Sequence, residues 1–382
     1  MAWILAVCIG NKIATYLGDI SGAFDRVFTD YLLAKLQAAG VGSQYLNFLE
    51  AYLQPRAGTV VVEGVCSEEF QLANTVFQGT VLGPPLWNVF FSDVTHCVST
   101  EQPALFADDL TVFQQFKRTE ENESIKRHMH VCRTRVHKWG RANRVAFDPT
   151  KEHVVVIHPI YGEGDPFKLL GCLVDCKLVM DQAVEKILSQ MRPKIRAIVR
   201  TKPHYSKRDL VGQFKTHIWG TMEVHSGGIF HASNHLLDKF DASQRHFLEE
   251  LSVDERTAFL DYNFAPPSLR RNIGILGLLH KRVLGIAHPI FNKLLPYHIE
   301  IFGSLRRGEH NKQLYGHGNE IHFQHGLHRR SIFGMVHIYN RLPQEIVDCV
   351  CVSSFQRELT LIARKKCEDG DPDWSVVFSG RA

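Results

Sequence analysis

The stretch Ala104-Leu105-Phe106-Ala107-Asp108-Asp109-Leu110-Thr111-Val112-Phe113 sets two adjacent aspartates between apolar runs. Apolar and β-branched residues on either side of a polar pair predict a β-hairpin whose tight turn carries two carboxylates. Neighbouring like charges between two buried strands repel each other and lose hydration, so an offsetting charge is expected. A bound divalent cation would supply it. The plainer reading is that aspartate favours turns. The rest of the chain decides between them.

Upstream, Ile13-Ala14-Thr15-Tyr16-Leu17-Gly18-Asp19-Ile20 reads as a buried strand that ends on an aspartate, with a turn over Ser21–Asp25. A helix is expected from Asp30 to Ala39, with Leu32, Leu33 and Leu36 on one face. Ser43 is expected to cap the next helix, which runs to about Leu53. Thr59–Val65 and Phe70–Leu72 suggest a hairpin. A loop carrying Gly79 and Gly83 then leads into a helix opened by Pro84 or Pro85, where a missing N–H costs nothing. That helix should reach about Cys97 with Leu86, Phe90 and Val94 inward.

Beyond the aspartate pair, Ile125, Met129, Cys132, Val136 and Trp139 recur at spacings of four and three, an amphipathic helix. Val154–Ile157 returns to the sheet and Lys168–Val174 adds a short strand. From Asp181 the pattern is helical, with Val184, Ile187, Leu188, Met191, Ile195 and Ile198 on one face. Pro266-Pro267 and the Gly/His-rich stretch Gly303–Gly326 mark later breaks. This order predicts an α+β fold: a palm-like antiparallel sheet with helices on one face, followed by helical regions. The expected divisions are a palm over 1–176, a thumb-like region over 177–250 and a C-terminal helical region over 251–382.

With 382 residues the chain is long enough for two or three domains. Its 45% hydrophobic and 22% charged content is that of a soluble globular protein. A net charge of +4 permits a polyanionic partner without demanding one. Nine cysteines, an odd count with no Cys-x-x-Cys pair, point to reduced thiols in the cytoplasm or nucleus rather than to secretion. No segment has transmembrane length, so no membrane partner is expected.

Three acids stand out: Asp19 at a strand end, and Asp108 and Asp109 at the hairpin turn. If strand and hairpin are neighbours in one sheet, the carboxylates converge at one edge. Magnesium takes oxygen ligands and is often held by one or two carboxylates plus substrate phosphates. Two such ions about 4 Å apart can activate an attacking hydroxyl and stabilise a leaving pyrophosphate.

Asp19-Ile20-Ser21-Gly22-Ala23-Phe24-Asp25 resembles the first palm motif of reverse transcriptases, and Gln78-Gly79-Thr80-Val81-Leu82-Gly83-Pro84 resembles the second. Phe106-Ala107-Asp108-Asp109 resembles the third, and the wording is most similar to the LINE-type (non-LTR) retrotransposons. The resemblance implies an RNA-directed DNA polymerase with two Mg2+ ions, an RNA template, a DNA primer and deoxynucleoside triphosphates. Asp19 and Asp108 would be the catalytic metal-binding aspartates, with Asp109 beside them and Ile20 in the metal-binding set. Phe24 would be the aromatic that blocks a ribose 2′-hydroxyl, although a plain core phenylalanine is the alternative. Gln78 and Gly79 would lie against nucleotide and template, and Lys151 near the leaving pyrophosphate. An ordinary surface lysine is the alternative for Lys151. Leu170-Gly171 resembles the primer-grip turn.

From Arg192 to Arg208 there are seven Lys or Arg and no Asp or Glu. Arg192, Arg196 and Arg200 recur every fourth residue, and Lys207 and Arg208 close the run. Such a stripe can neutralise phosphates without reading sequence. Only eighteen residues precede Asp19, so the fingers that the family carries there are expected to be missing. An apolar surface left open would be the consequence. Two other readings stay open: an inactive retrotransposon remnant that at most binds nucleic acid, and an RNA-dependent RNA polymerase. No catalytic signature stands out in the last hundred residues.

Overall fold

The computed structural model describes residues 1–72, 76–98, 100–303 and 310–381. Residues 304–309 of the expected Gly303–Gly326 break lie outside the described residues. The chain forms two compact units: Lys12–Ile157 with Tyr161–Asp165, and Met1–Asn11 with His158–Ile160 and Pro166–Ala382.

Helix α1 (Ala2–Ile9) belongs to the second unit and buries Ala6, Val7 and Cys8. It ends at Gly10, whose φ of 109° only glycine adopts easily; a Cβ there would sit 2.5 Å from the Phe323 ring. Strand β1 (Asn11–Gly18) follows and is buried along nearly all its length. Helices α2 (Thr29–Ala38) and α3 (Ser43–Tyr52) come next. Ser43 is the first helical residue rather than the cap: Gly42, in extended conformation, takes that position and no side chain caps the helix.

The expected hairpin after α3 is a nested ribbon. β2 (Arg56–Gly58) pairs with β5 (Phe70–Leu72), enclosing β3 (Val61–Val62) paired with β4 (Val65–Cys66). It leaves Val60, Val61, Val62, Val65 and Phe70 exposed. Helix α4 (Gly83–Ser92) has its prolines in the first turn, and a 3-10 segment extends it over Asp93–Cys97.

Strands β6 (Gln102–Phe106) and β7 (Asp109–Lys117) form the aspartate hairpin, with Phe106 opposite Asp109. The expectation of two buried strands holds for one of them. β7 buries Leu110, Thr111, Val112 and Phe116, whereas β6 is the edge strand of the sheet and exposed throughout, Phe106 at 64%. Helix α5 (Asn122–Ala142) buries the five expected residues, and β8 (His153–Ile157) pairs antiparallel with β1. The sheet order is β6-β7-β1-β8, so β1 lies between the aspartate hairpin and the last strand.

One apolar cluster holds this unit together. It joins Ala14 and Tyr16, two apart on one face of β1, to Leu110 and Val112 on β7. Against them pack Leu32, Leu36, Leu49, Leu86, Phe90, Phe91, Ile125, Met129 and Val136 from the four helices. This is the α+β arrangement expected, with the open end of β1 beside the hairpin turn.

In the second unit the stretch Lys168–Val174 is two strands, not one. β9 (Phe167–Leu169) and β10 (Cys172–Val174) turn at Leu170-Gly171, both with positive φ (47° and 81°), as a tight primed turn requires. Helix α6 (Asp181–Arg200) buries all six expected apolar residues. Further helices include Asn234–Glu250, Pro267–Val283 and Val352–Glu368, which share a core around Phe259, Leu276, Tyr339, Phe355 and Leu359 or pack near it. None of the nine cysteines is in a disulfide. Among the described residues no helix is long and apolar enough to cross a membrane.

Candidate active site

Asp19 follows the last residue of β1, and a second segment is stitched to it by main-chain bonds. Asp148 N–H donates to Asp19 O (2.9 Å), Ser21 N–H donates to Ala146 O (3.1 Å), and Ile20 bridges to Phe147. Within that segment the Asp148 carboxylate accepts from the N–H (3.0 Å) and hydroxyl (2.6 Å) of Thr150, bonds that hold its carboxyl below the usual range. Glu152 is pinned from the sheet side: its carboxylate accepts the Tyr16 hydroxyl (2.7 Å), meets His137 (2.6 Å) and pairs with Arg133 (2.6 Å). Gly18 makes room for that hydroxyl, since a Cβ there would lie 2.9 Å from it.

Between these two anchors stands Lys151. Its ammonium lies 2.7 Å from Asp19 Oδ2, and the hydrogen bond raises the pKa of Lys151. Two residues 132 apart in sequence thus meet at the end of β1. The Lys151 side chain is 61% exposed, and its charged end is committed to Asp19.

Opposite them is the hairpin turn. Ala107 occupies the left-handed region (φ 53°), and Asp108 and Asp109 are both half-buried. The carboxyl of Asp109 is pushed above the ordinary aspartate range, first by burial, then by the charges of Asp108 and Asp19; Lys151 opposes the shift. Four charged groups therefore act on one another at this edge. A raised folded-state pKa means the folded chain binds the proton more tightly than the unfolded one. Asp109 thus lowers stability as pH rises through its pKa, and a nearby cation would remove that cost.

Whether the residues fit a divalent cation can be judged on this charge balance. The donors are carboxylate oxygens, the type hard cations take, and their mutual repulsion is only partly offset by one ammonium. Among the described residues no group of three or more His, Cys, Asp or Glu side chains is gathered closely enough to hold an ion alone. That suits an ion bound by one or two carboxylates and completed by substrate phosphates. The Ile20 side chain is a hydrocarbon buried in the core, and only a main-chain carbonyl could give this residue a ligand oxygen.

Phe24 opens a 3-10 turn and stacks on Trp87 of α4 (centroids 5.5 Å apart, planes at 29°). It is half-buried, with Gly83 close by, where a Cβ would be 3.7 Å from the ring. Gln78 and Gly79 are exposed, and Gly79 has φ 76° with open space where a Cβ would be. The loop is closed by the Thr80 hydroxyl, which donates to Phe77 O (2.7 Å) and accepts from Gly83 N–H (3.2 Å).

Trp87 is the residue that sequence reasoning passed over. Its ring is 1% exposed, and its indole N–H donates to Ala107 O, the turn residue before Asp108, at 2.8 Å. One side chain thus carries both the Phe24 ring and the hairpin turn. A buried indole needs an acceptor, which was the available signal; which acceptor was not readable.

The basic residues lie in the second unit. Arg192, Arg196 and Arg200 form one exposed face of α6, lining a groove of about 720 Å³ with Lys239, His246 and Glu250. Arg192 pairs with Glu185 (2.6 Å), and Lys207 donates to Ser252 O (3.1 Å); Arg208 is exposed. The stripe exists, but acids flank it and one arginine is already paired.

Residues 9–174 match the family model for reverse transcriptase (RNA-dependent DNA polymerase). The match covers less than half of the chain, and over this segment the chain is similar to that family. The chain is similar to the probable RNA-directed DNA polymerase from transposon X-element of Drosophila melanogaster, 28% identical over 194 residues. It is also similar to the RNA-directed DNA polymerase from mobile element jockey of the same fly, 29% identical over 201 residues. The jockey protein of Drosophila funebris is 24% identical over 194 residues. Each match covers 46% of this chain and 21% of the relative, so the matched part spans about a fifth of those proteins. These mobile-element relatives agree with the LINE-type resemblance. Reverse transcriptases generally use divalent metal ions and act on nucleic acid and nucleotides.

Replacing Trp87 by Phe keeps the stack and removes the indole donor. The expected result is a loss of about 0.5–1.5 kcal/mol in denaturant unfolding, with faster amide exchange at Asp108 and Asp109 than in the rest of β7. Unchanged exchange there would show that the hairpin does not lean on Trp87.

Proposed function

We propose that the chain carries the palm of a LINE-type RNA-directed DNA polymerase, extending a DNA primer on an RNA template with deoxynucleoside triphosphates. The observation that carries this reading is the meeting of Asp19, Asp108, Asp109 and Lys151 at one sheet edge. Two Mg2+ ions bound there would activate the primer hydroxyl and stabilise the leaving pyrophosphate. Asp19 and Asp108 would supply ligand oxygens, with Asp109 as the third carboxylate. Lys151 would neutralise charge near the pyrophosphate. Phosphoryl transfer relies on positioning and charge neutralisation, so these four side chains suffice as protein chemistry.

Phe24 would stand against the sugar of the incoming nucleotide, held by Trp87, and reject a ribose 2′-hydroxyl by contact. The Gln78-Gly79 loop would lie against nucleotide and template, where the missing Cβ leaves room. Residues 177–250 would act as a thumb, with Arg192, Arg196, Arg200, Lys207 and Arg208 following the phosphate backbone. Such a protein would work where RNA and DNA meet, in the nucleus or cytoplasm. The relatives, all RNA-directed DNA polymerases, lend nothing to the inactive-remnant or RNA-dependent RNA polymerase readings.

Primer extension on an RNA template with magnesium tests the proposal. The Asp108→Ala/Asp109→Ala double variant should lose at least about 10²–10³-fold in rate. Wild-type chain that binds template without incorporating nucleotide, or activity that survives the double change, would overturn it. Phe24→Val should raise incorporation of ribonucleotides relative to deoxyribonucleotides while leaving deoxynucleotide KM within a few-fold; an unchanged ratio would remove the sugar-contact role.

A further inference from the structure

Outside the palm the second unit contains a cavity of about 750 Å³ whose described lining residues include no aspartate or glutamate. Its size falls in the range of sites that take nucleotide-sized ligands. Two helices supply its charged wall. His325 and Arg329 stand four apart on the helix His325–Arg329, and His337 and Arg341 are four apart on the next helix, Ile332–Tyr339, and the turn after it. Spacing of four puts each pair on one side of its helix.

All four side chains are exposed, and neither arginine has an ion pair among the described residues. The nearby acid Glu320 is occupied, accepting from the Tyr315 hydroxyl (3.0 Å) and meeting His317 (3.1 Å). His337 Nδ1 donates to Gly334 O, so its Nε2 donates to an anion in the imidazolium form of the ring, while Phe333 forms a buried apolar floor. The arrangement differs from the α6 stripe, where Arg192 already has a carboxylate and Glu250 lines the groove.

Two unpaired guanidinium groups sharing a cavity repel each other, and nothing in the described wall offsets that. A planar guanidinium binds phosphate oxygens through paired N–H donors, and two of them suit a dianion or successive phosphates. We propose that this cavity is a second phosphate-binding site, gripping a phosphate group of single-stranded RNA or of a free nucleotide through Arg329 and Arg341, with His325 and His337 as additional donors. The polymerase reading enters only in choosing RNA as the probe. The site is independent of Asp19, Asp108 and Asp109.

Fluorescence anisotropy of a labelled single-stranded RNA across a salt series tests it, comparing wild type with Arg329→Gln/Arg341→Gln. Both side chains are exposed, so the double variant should unfold at the wild-type temperature. Loss of two phosphate contacts should lower the slope of log K against log salt by about 1.4. A parallel titration with ATP and with inorganic phosphate separates the sources. A reduced slope without nucleotide binding assigns an RNA strand. Nucleotide binding that the double variant abolishes, with the RNA slope unchanged, assigns a free nucleotide. An unchanged slope together with unchanged nucleotide and phosphate binding overturns the site. Because no readout uses polymerisation, failure here leaves the polymerase proposal standing, and loss of polymerisation leaves this one standing.

Discussion

Carboxylates brought to one sheet edge repel each other, and the first unit holds Asp19, Asp108 and Asp109 at such an edge with one lysine to counter them. Asp19, Asp108 and Asp109 reach the same edge because β1 lies next to β7 in the sheet, so a strand end and a hairpin turn coincide. Burial and like charge both favour protonated Asp109. The lysine that counters them is delivered by a segment tied to the end of β1 by main-chain bonds and to its middle by the Tyr16–Glu152 bond. In the absence of an ion, Lys151 is the cation of the site.

The same edge is fixed from the helical side. Trp87 lies in the apolar cluster that packs α4 against the sheet, and its two ends reach the two parts of the site. Its ring supports Phe24 and its N–H holds the turn carbonyl before Asp108. A change in α4 packing would therefore shift the Phe24 ring and the hairpin turn before Asp108 together. That coupling gives a physical reason for the second motif to run directly into this helix.

Much of this was legible in the sequence because it is written in local patterns. The four-and-three spacing of Ile125 to Trp139 gave α5, and alternation around the aspartate pair gave the hairpin. The three motifs gave the convergence of the acids, through a resemblance rather than through spacing alone. What escaped depends on contacts distant in sequence or on exposure. β6 has the composition of a buried strand but lies at the sheet edge. The apolar pattern makes Leu170 a strand residue while the resemblance puts it in a turn, and it takes a positive φ within a two-residue turn. The Trp87–Ala107 and Tyr16–Glu152 bonds join residues 20 and 136 apart, and no periodicity reports such pairs. The Arg329–Arg341 cavity draws on the Gly303–Gly326 break and on the short helices just after it, where no catalytic signature stands out in the sequence.

The central claim is electrostatic: three carboxylates and one ammonium are coupled at a single edge before any ligand arrives. The direct measurement is the pKa of the Asp109 carboxyl, followed by carbon-13 NMR in metal-free buffer, in the wild-type chain and in Asp19→Asn. The structure predicts a value above the ordinary aspartate range that falls when Asp19 loses its charge. An Asp109 that titrates at the ordinary aspartate value, and does not respond to Asp19, would contradict the convergence on which the whole reading depends.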